Sequence, residues 1–309
     1  MSESQEHNQP QAQNNEPVSF YANPVWKKFY AFILGPFLVA SMAIGVYVVI
    51  SLMTGDNTTP GELVGQLRNG GHHQRWQAAF ALTKYIQPGS DDDDASYRRR
   101  LADVRVLGPE LKSIFEDTKV SDPQVRRYLA LTFGYLGDKR WTSVLTQALR
   151  DEDSETVLNS LIALTMLEDV SAAPAVIEVS KGDVAELRSV AAYVLGVLGT
   201  TDAVRRLEEL LGDRAPSVKW NAAFALARHG NNAGEEIIAE ILDRGPLAQT
   251  EGLDALKRQE QFFNALRSAS RLKSEKLHGR LVRIAEHDKD IKAQGLAKKL
   301  LARAETTGF

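Results

Sequence analysis

A block of about 31 residues recurs along the C-terminal four-fifths of this chain. Two copies nearly repeat each other as text: Arg75-Trp-Gln-Ala-Ala-Phe-Ala-Leu82 and Lys219-Trp-Asn-Ala-Ala-Phe-Ala-Leu226. Between them Val125, Thr156, Leu187 and Val218 open equivalent blocks at a constant step. That step is the length of one antiparallel helix pair. A single pair cannot bury its own apolar face, so copies must stack side by side into a solenoid, a fold that binds far more often than it catalyses.

The blocks share an internal grammar. Each opens on a polar turn suited to a helix start: Ser121-Asp-Pro-Gln, Asp151-Glu-Asp-Ser, Asp183-Val-Ala-Glu and Asp213-Arg-Ala-Pro. A first helix follows, with Leu129-Ala130, Ser160-Leu161, Ala191-Ala192 or Ala222-Ala223 at its centre, mostly small residues that let neighbours approach closely. Phe133, Leu164, Leu195 and Leu226 are expected to fill the layer between helices. Gly137, Gly199 and Gly230 end the first helices, where a left-handed C-cap suits glycine. A second helix then carries an apolar stripe at helical spacing, such as Val204, Leu207, Leu210 and Leu211. Trp76 and Trp220 share one repeat position and read as packing residues beside the Ala-Ala step.

These residues resemble the HEAT family, in the short-repeat branch called PBS-lyase HEAT-like repeats. The resemblance rests on Asp122-x-x-Val125-Arg126 with Ala130 and Gly134-Tyr-Leu-Gly137. It rests equally on Asp183-x-x-x-Leu187-Arg188 with Ala191-Ala192 and Gly196-Val-Leu-Gly199. It implies an all-α fold, a right-handed α-solenoid of HEAT-like helix pairs over residues 62–304. It further implies a polar ladder of Asp and Arg between successive repeats, broken where Val157 replaces the arginine. In the fifth block Ala227 stands in place of a glycine. The resemblance also implies that second helices line the concave face. A polar groove containing Arg205, Arg206, Glu209, Glu235 and Glu236 is then the expected contact for a protein partner.

Two insertions interrupt the period, near 87–119 and 245–253. The first contains Asp91 to Asp94 and a long expected helix from about Tyr97. The chain closes with a capping helix, Asp290 to Ala304, expected to turn Ile291, Leu296, Leu300 and Leu301 toward the stack.

Ahead of the repeats the composition changes twice. Residues 1–24 are polar and rich in Gln, Asn and Glu, which reads as a disordered cytoplasmic tail. No charged residue then occurs from Phe29 to Gly55. About 25 helical residues reach ~37 Å, enough for a ~30 Å hydrocarbon layer, so residues 25–54 read as a single transmembrane helix followed by a linker, 55–61. Trp26 and Tyr30 suit the headgroup layer. Lys27 and Lys28 stand before the span and Asp56 and Glu62 after it. The positive-inside bias therefore places the solenoid outside the cytoplasm.

The remaining features narrow the chemistry. A net charge of −3 is unsuited to nucleic acid, which needs a basic face. The chain has no cysteine, so disulfides and thiolate chemistry are excluded. Asp91 to Asp94 lack the spacing of an EF-hand loop and read as a solvated loop opposing Arg98, Arg99 and Arg100. Adjacent His72 and His73 point apart and do not form a metal set. No catalytic, cofactor or metal constellation is read. The expectation is a membrane-anchored scaffold or adaptor for a protein partner, plausibly within a membrane complex. The alternatives are an accessory subunit of a multi-span transporter, or a bilin lyase-like enzyme or chaperone.

Overall fold

The helix starts follow from the turns, though not always through the expected residue. In a computed structural model, residues 58–89, 93–117, 122–250 and 253–306 are described. Thr59 caps α1 (Pro60–Asn69) in a reciprocal capping box with Glu62. Helix α2 spans His72–Ile86. Asp153 caps α7 (Ser154–Leu167) by accepting from the Thr156 amide. By contrast α9 (Ala185–Leu198) and α11 (Pro216–Arg228) start at Val184 and Ala215 without a side-chain cap. Asp122 precedes α5 (Pro123–Tyr135) without capping it.

The first insertion differs from its expectation. Instead of one long helix from Tyr97 it holds two: α3 (Asp94–Arg105) and α4 (Gly108–Asp117). The break falls at exposed Val106 and at Gly108, which lies hard against the Trp141 ring. Helix α4 takes the second-layer place ahead of α5. The Phe115 and Phe133 rings meet edge to face at 5.6 Å. Helix α3 is therefore the true insertion, tied back by Arg100 to the Tyr85 carbonyl and by Arg105 to that of Leu136.

From Thr59 onward the chain packs as one unit in two layers of helices. The first-helix layer holds α2, α5, α7, α9, α11 and α14 (Ala255–Ala269). The second holds α1, α4, α6 (Thr142–Ala148), α8 (Ala173–Val179), α10 (Thr201–Leu210), α12 (Glu235–Leu242) and α15 (Glu275–His287). A short α13 (Gly245–Gln249) fills the second insertion and α16 (Ile291–Thr306) closes the stack. Phe133, Leu164, Leu195 and Leu226 are fully buried between the layers, as the repeat spacing predicts. The C-caps follow too: Gly137, Gly199 and Gly230 have φ of 64°, 63° and 69°. In the third block that place falls to Glu168, at φ 48°. In α16 Leu296, Leu300 and Leu301 pack against the core as expected, beside the buried Ala293 and Ala297, whereas Ile291 sits at the helix start and is exposed, contrary to its expected inward place.

The stack is not uniform. Gly134 of α5 and Gly196 of α9 stand at one repeat position, and each lies against the next first helix. A Cβ on Gly134 would stand 2.8 Å from both the Cα and the Cβ of Ala163. One on Gly196 would stand 3.0 Å from the Ala225 Cα and closer still to its methyl. In α7 the same position is Thr165, and α7 meets α9 less extensively than α5 meets α7 or α9 meets α11.

Polar links follow the same alternation. Arg126 gives two hydrogen bonds to Asp151 and another to the Phe115 carbonyl. Asn159, on the following first helix, donates back to the Arg127 carbonyl at 3.0 Å. One doublet later Arg188 donates to both oxygens of Asp213 at 2.8 and 2.9 Å, and Asn221 donates back to the Ser189 carbonyl. The expected gap at Val157 is present: that side chain is buried and apolar, and among the described residues no side-chain hydrogen bond or ion pair joins α7 to α9. The ladder is thus a pair of riveted doublets, α5–α7 and α9–α11, meeting at an apolar seam.

Among the described residues no helix is long and apolar enough to cross a membrane. The expected span from Phe29 to Met53, with its tail and the first part of the linker, lies outside them.

Candidate functional site

The first helices α2, α5, α7, α9 and α11 share one repeat position, five residues past the ladder position, that points away from the second layer. It is filled by Phe80, Leu131, Ile162, Tyr193 and Phe224. The residues three, four and seven past the ladder position take the core-facing side, which leaves the fifth turned outward. Phe80 and Tyr193 are 45% and 46% exposed, unusual for aromatic side chains outside an interface. Leu131, Ile162 and Phe224 are half-buried, and Met166 adds a further exposed apolar group. The row continues from repeat to repeat, as the constant step requires. Phe80 meets Tyr128 edge to face at 5.3 Å, and the Arg228 guanidinium lies over the Tyr193 ring at 5.1 Å. The sequence signal was legible in the two near-identical copies, whose shared phenylalanines occupy this position.

The sequence-predicted polar groove divides. Arg205, Arg206 and Glu209 come together with Glu178 and Lys181 around a shallow cleft of about 530 Å³ between α8 and α10. Arg206 is committed there, donating to the Ser180 hydroxyl at 2.8 Å, the Ser180 carbonyl at 2.9 Å and Glu209 at 2.6 Å. Arg205 pairs with Asp202 on its own helix. Glu235 and Glu236 do not line this cleft. Glu235 accepts from Ser274 at 2.6 Å, and Glu236 pairs with Lys276. The contacts to Ser180, Ser274 and Lys276 join second-layer helices to their neighbours, an assembly role that spacing alone does not reveal, whereas the pairs with Glu209 and Asp202 lie within α10.

The other singled-out residues are placed as follows. Trp220 is buried, and Trp76 is half-buried with its ring nitrogen donating to His73. His72 lies 3.5 Å from the buried Asp122, which also faces Arg75 at 3.7 Å. Asp93 caps α3 and Asp94 pairs with Arg98, whereas Asp91 and Asp92 lie outside the described residues. Among the described residues no cluster of three metal-binding side chains occurs.

The displaced acidities track the packing. Hydrogen bonds from Arg127 hold the Asp153 carboxyl down to about 2 against the opposing effect of burial, helped by Thr156. Arg188 holds Asp213 below its ordinary value in the same way. Both carboxylates belong to repeat junctions, where a persistent negative charge anchors an arginine.

Residues 109–196 match the family of HEAT repeats. The stretch covers α4 to most of α9 and includes the first riveted doublet. A search of curated proteins finds no match. Among solved structures, the chain is similar to one from the complex of CpcE and CpcF of phycocyanin lyase from Nostoc sp. PCC7120. The identity there is 21%, covering 80% of this chain and 96% of that one, with a TM-score of 0.51. It also resembles E. coli YibA at 13% identity, covering 84% and 96%, with a TM-score of 0.48. A designed armadillo repeat protein in complex with the peptide (KR)4 is similar at 14% identity, covering 80% and 99%, with a TM-score of 0.43. The phycocyanin lyase likeness establishes the architecture, an all-α repeat solenoid.

Proposed function

We propose that this protein is a membrane-anchored scaffold that binds a protein partner along its first-helix layer. The observation that carries this reading is the row from Phe80 to Phe224, apolar in five successive repeats, exposed at Phe80 and Tyr193 and half-buried between and beyond them. Apolar groups held outward on a rigid layer are the usual anchors of a protein interface. In this proposal the contact lies on the opposite layer from Arg205, Arg206, Glu209, Glu235 and Glu236. The reading is one of binding without catalysis.

The anchor in this proposal is the uncharged run from Phe29 to Met53, with the solenoid on the extracytoplasmic side. Tethering raises the effective concentration of the groove for clients in the same bilayer. A compartment-dependent reporter fused after Phe309 reads the orientation directly.

The test of the binding face is in-cell photocrosslinking of the full chain. A photoreactive side chain at Leu131 or Tyr193 should give one discrete adduct, abolished by Phe80→Glu or Phe224→Glu, and the same probe at Arg205 should give none. Adducts from Arg205 alone would move the interface to the second layer and refute this assignment.

A further inference from the structure

On the two first helices that meet at the seam, the apolar row is part of a longer stripe. Seven residues make almost two helical turns, so Glu155 lies on the same face of α7 as Ile162, and Glu186 on the same face of α9 as Tyr193. One turn beyond the row stand Tyr135, Met166 and Val197 on α5, α7 and α9, half-buried or exposed. The stripe thus runs from a carboxylate at the helix start to two apolar side chains further along, twice in succession. Both carboxylates are exposed. An acid in the first turn favours its helix. However, α5 and α11 start without one and carry Gln124 and Ser217 at the equivalent place, so the repeat itself does not call for Glu155 and Glu186. Arg127, whose charge reaches Glu155, is already held by both oxygens of Asp153 at 2.8 and 2.6 Å.

We propose that the client presents a basic amphipathic helix, laid across α5, α7 and α9 with its apolar side on the row and its cations toward Glu155 and Glu186. This inference rests on the binding face proposed above and names what that face takes. Packed helices stand roughly 8–10 Å apart. A helical client returns a side chain to one face every seven residues, about 10.5 Å, which keeps one apolar group near each first helix. An extended strand repeats a face every ~6.8 Å and falls out of step after one repeat. A polyproline segment repeats every ~9.3 Å, but it is a thin rod. The strip here is two side chains wide, with Leu131 beside Tyr135, Ile162 beside Met166 and Tyr193 beside Val197, which is the breadth of an apolar helix face. Lysines or arginines seven apart along one flank of the client then meet Glu155 and Glu186 in turn. Charges at the edge of an apolar contact select the partner and its direction more than they add strength.

The full chain in a neutral detergent is titrated with fluorescent peptides of about 21 residues, three heptads each, read as anisotropy above detergent alone. One carries leucines on a heptad stripe with lysines along one flank. A second has glutamates in place of the lysines, and a third is a scramble of the first. The lysine helix should bind saturably, about three- to tenfold more tightly than the glutamate helix, and added salt should narrow the gap. The scramble should not bind. Glu155→Lys/Glu186→Lys should reverse the preference, a gain that an unfolded variant cannot give. Tyr193→Glu should abolish binding of both helices, and Arg205→Gln should leave it unchanged. Equal affinity for the two charged helices, with both lost in Tyr193→Glu, overturns the basic partner and leaves the binding face standing. No helix binding, alongside photoadducts at Leu131 or Tyr193 in cells, overturns the helical client alone. Helix binding that survives Tyr193→Glu lies elsewhere on the protein and overturns both readings.

Discussion

Replacing Gly134 by alanine separates helix propensity from packing by the sign of its effect. In an isolated helix the change is favourable by about 1 kcal/mol, since glycine is the poorer helix former. In this stack the new methyl would stand 2.8 Å from both the Cα and the Cβ of Ala163, and 3.0 Å from the Met166 sulfur. Carbon atoms in contact rest at roughly 3.5–4.0 Å, so α5 and α7 must part by several tenths of an ångström or more. The sulfur can swing aside, but the Ala163 atoms are fixed to the backbone. Overpacking of this kind costs about 1–3 kcal/mol, which exceeds the propensity gain. The expected net effect is destabilisation by up to about 2 kcal/mol, read by denaturant unfolding. Hydrogen exchange should accelerate in α5 and α7 and remain unchanged in α15, because repeats couple to their neighbours. Removing the opposing methyl as well, in Gly134→Ala/Ala163→Gly, should give a favourable coupling of about 1 kcal/mol in a double-mutant cycle. A stabilised Gly134→Ala protein, or a cycle with no coupling, would falsify the doublet geometry.

Two further substitutions probe the junctions. Glu168→Gly relieves a left-handed backbone that costs a side-chain-bearing residue about 1 kcal/mol. Denaturant unfolding should therefore show a gain of several tenths to 1 kcal/mol, and a loss would mean that the Glu168 side chain stabilises the turn. Asp153 titrates near 3.8 when unfolded and at about 2 when folded. Its contribution, on the order of 1 kcal/mol after solvent screening, is fully present above about pH 4 and lost as the pH falls toward 2. Arg127→Ala should flatten this acid limb of a stability-pH curve, and an unchanged limb would show that another group sets it.

The repeat step, the glycine caps and the buried Phe133, Leu164, Leu195 and Leu226 were all legible in the sequence, because each depends on contacts within a helix pair. So was the interruption of the ladder at Val157. The break at Val106 was not, since it depends on Gly108 meeting the distant Trp141 ring. Ile291 was misplaced because helical periodicity does not say where a helix begins relative to its neighbours. The polar groove divided for a related reason: Arg206 is drawn to Ser180 and Glu235 to Ser274, partners outside their own helices. The apolar row was present in the text, but exposure on a first helix becomes visible only once the layers are assigned.

The seam between α7 and α9 gives the solenoid a mechanical character. Two stiff blocks, each bolted by an arginine, an asparagine and a glycine contact, meet along an apolar line in the first layer. Behind that line, in the second layer, Arg206 is pinned to Ser180. Apolar surfaces can slide or part without breaking a directional bond, so if the stack flexes, this seam is where it is expected to give, with the Arg206–Ser180 link as the point that stays joined. Ile162 and Tyr193 ride on opposite blocks. A client seated on both would feel the angle between them, and its grip would change with any pull that flexes the stack.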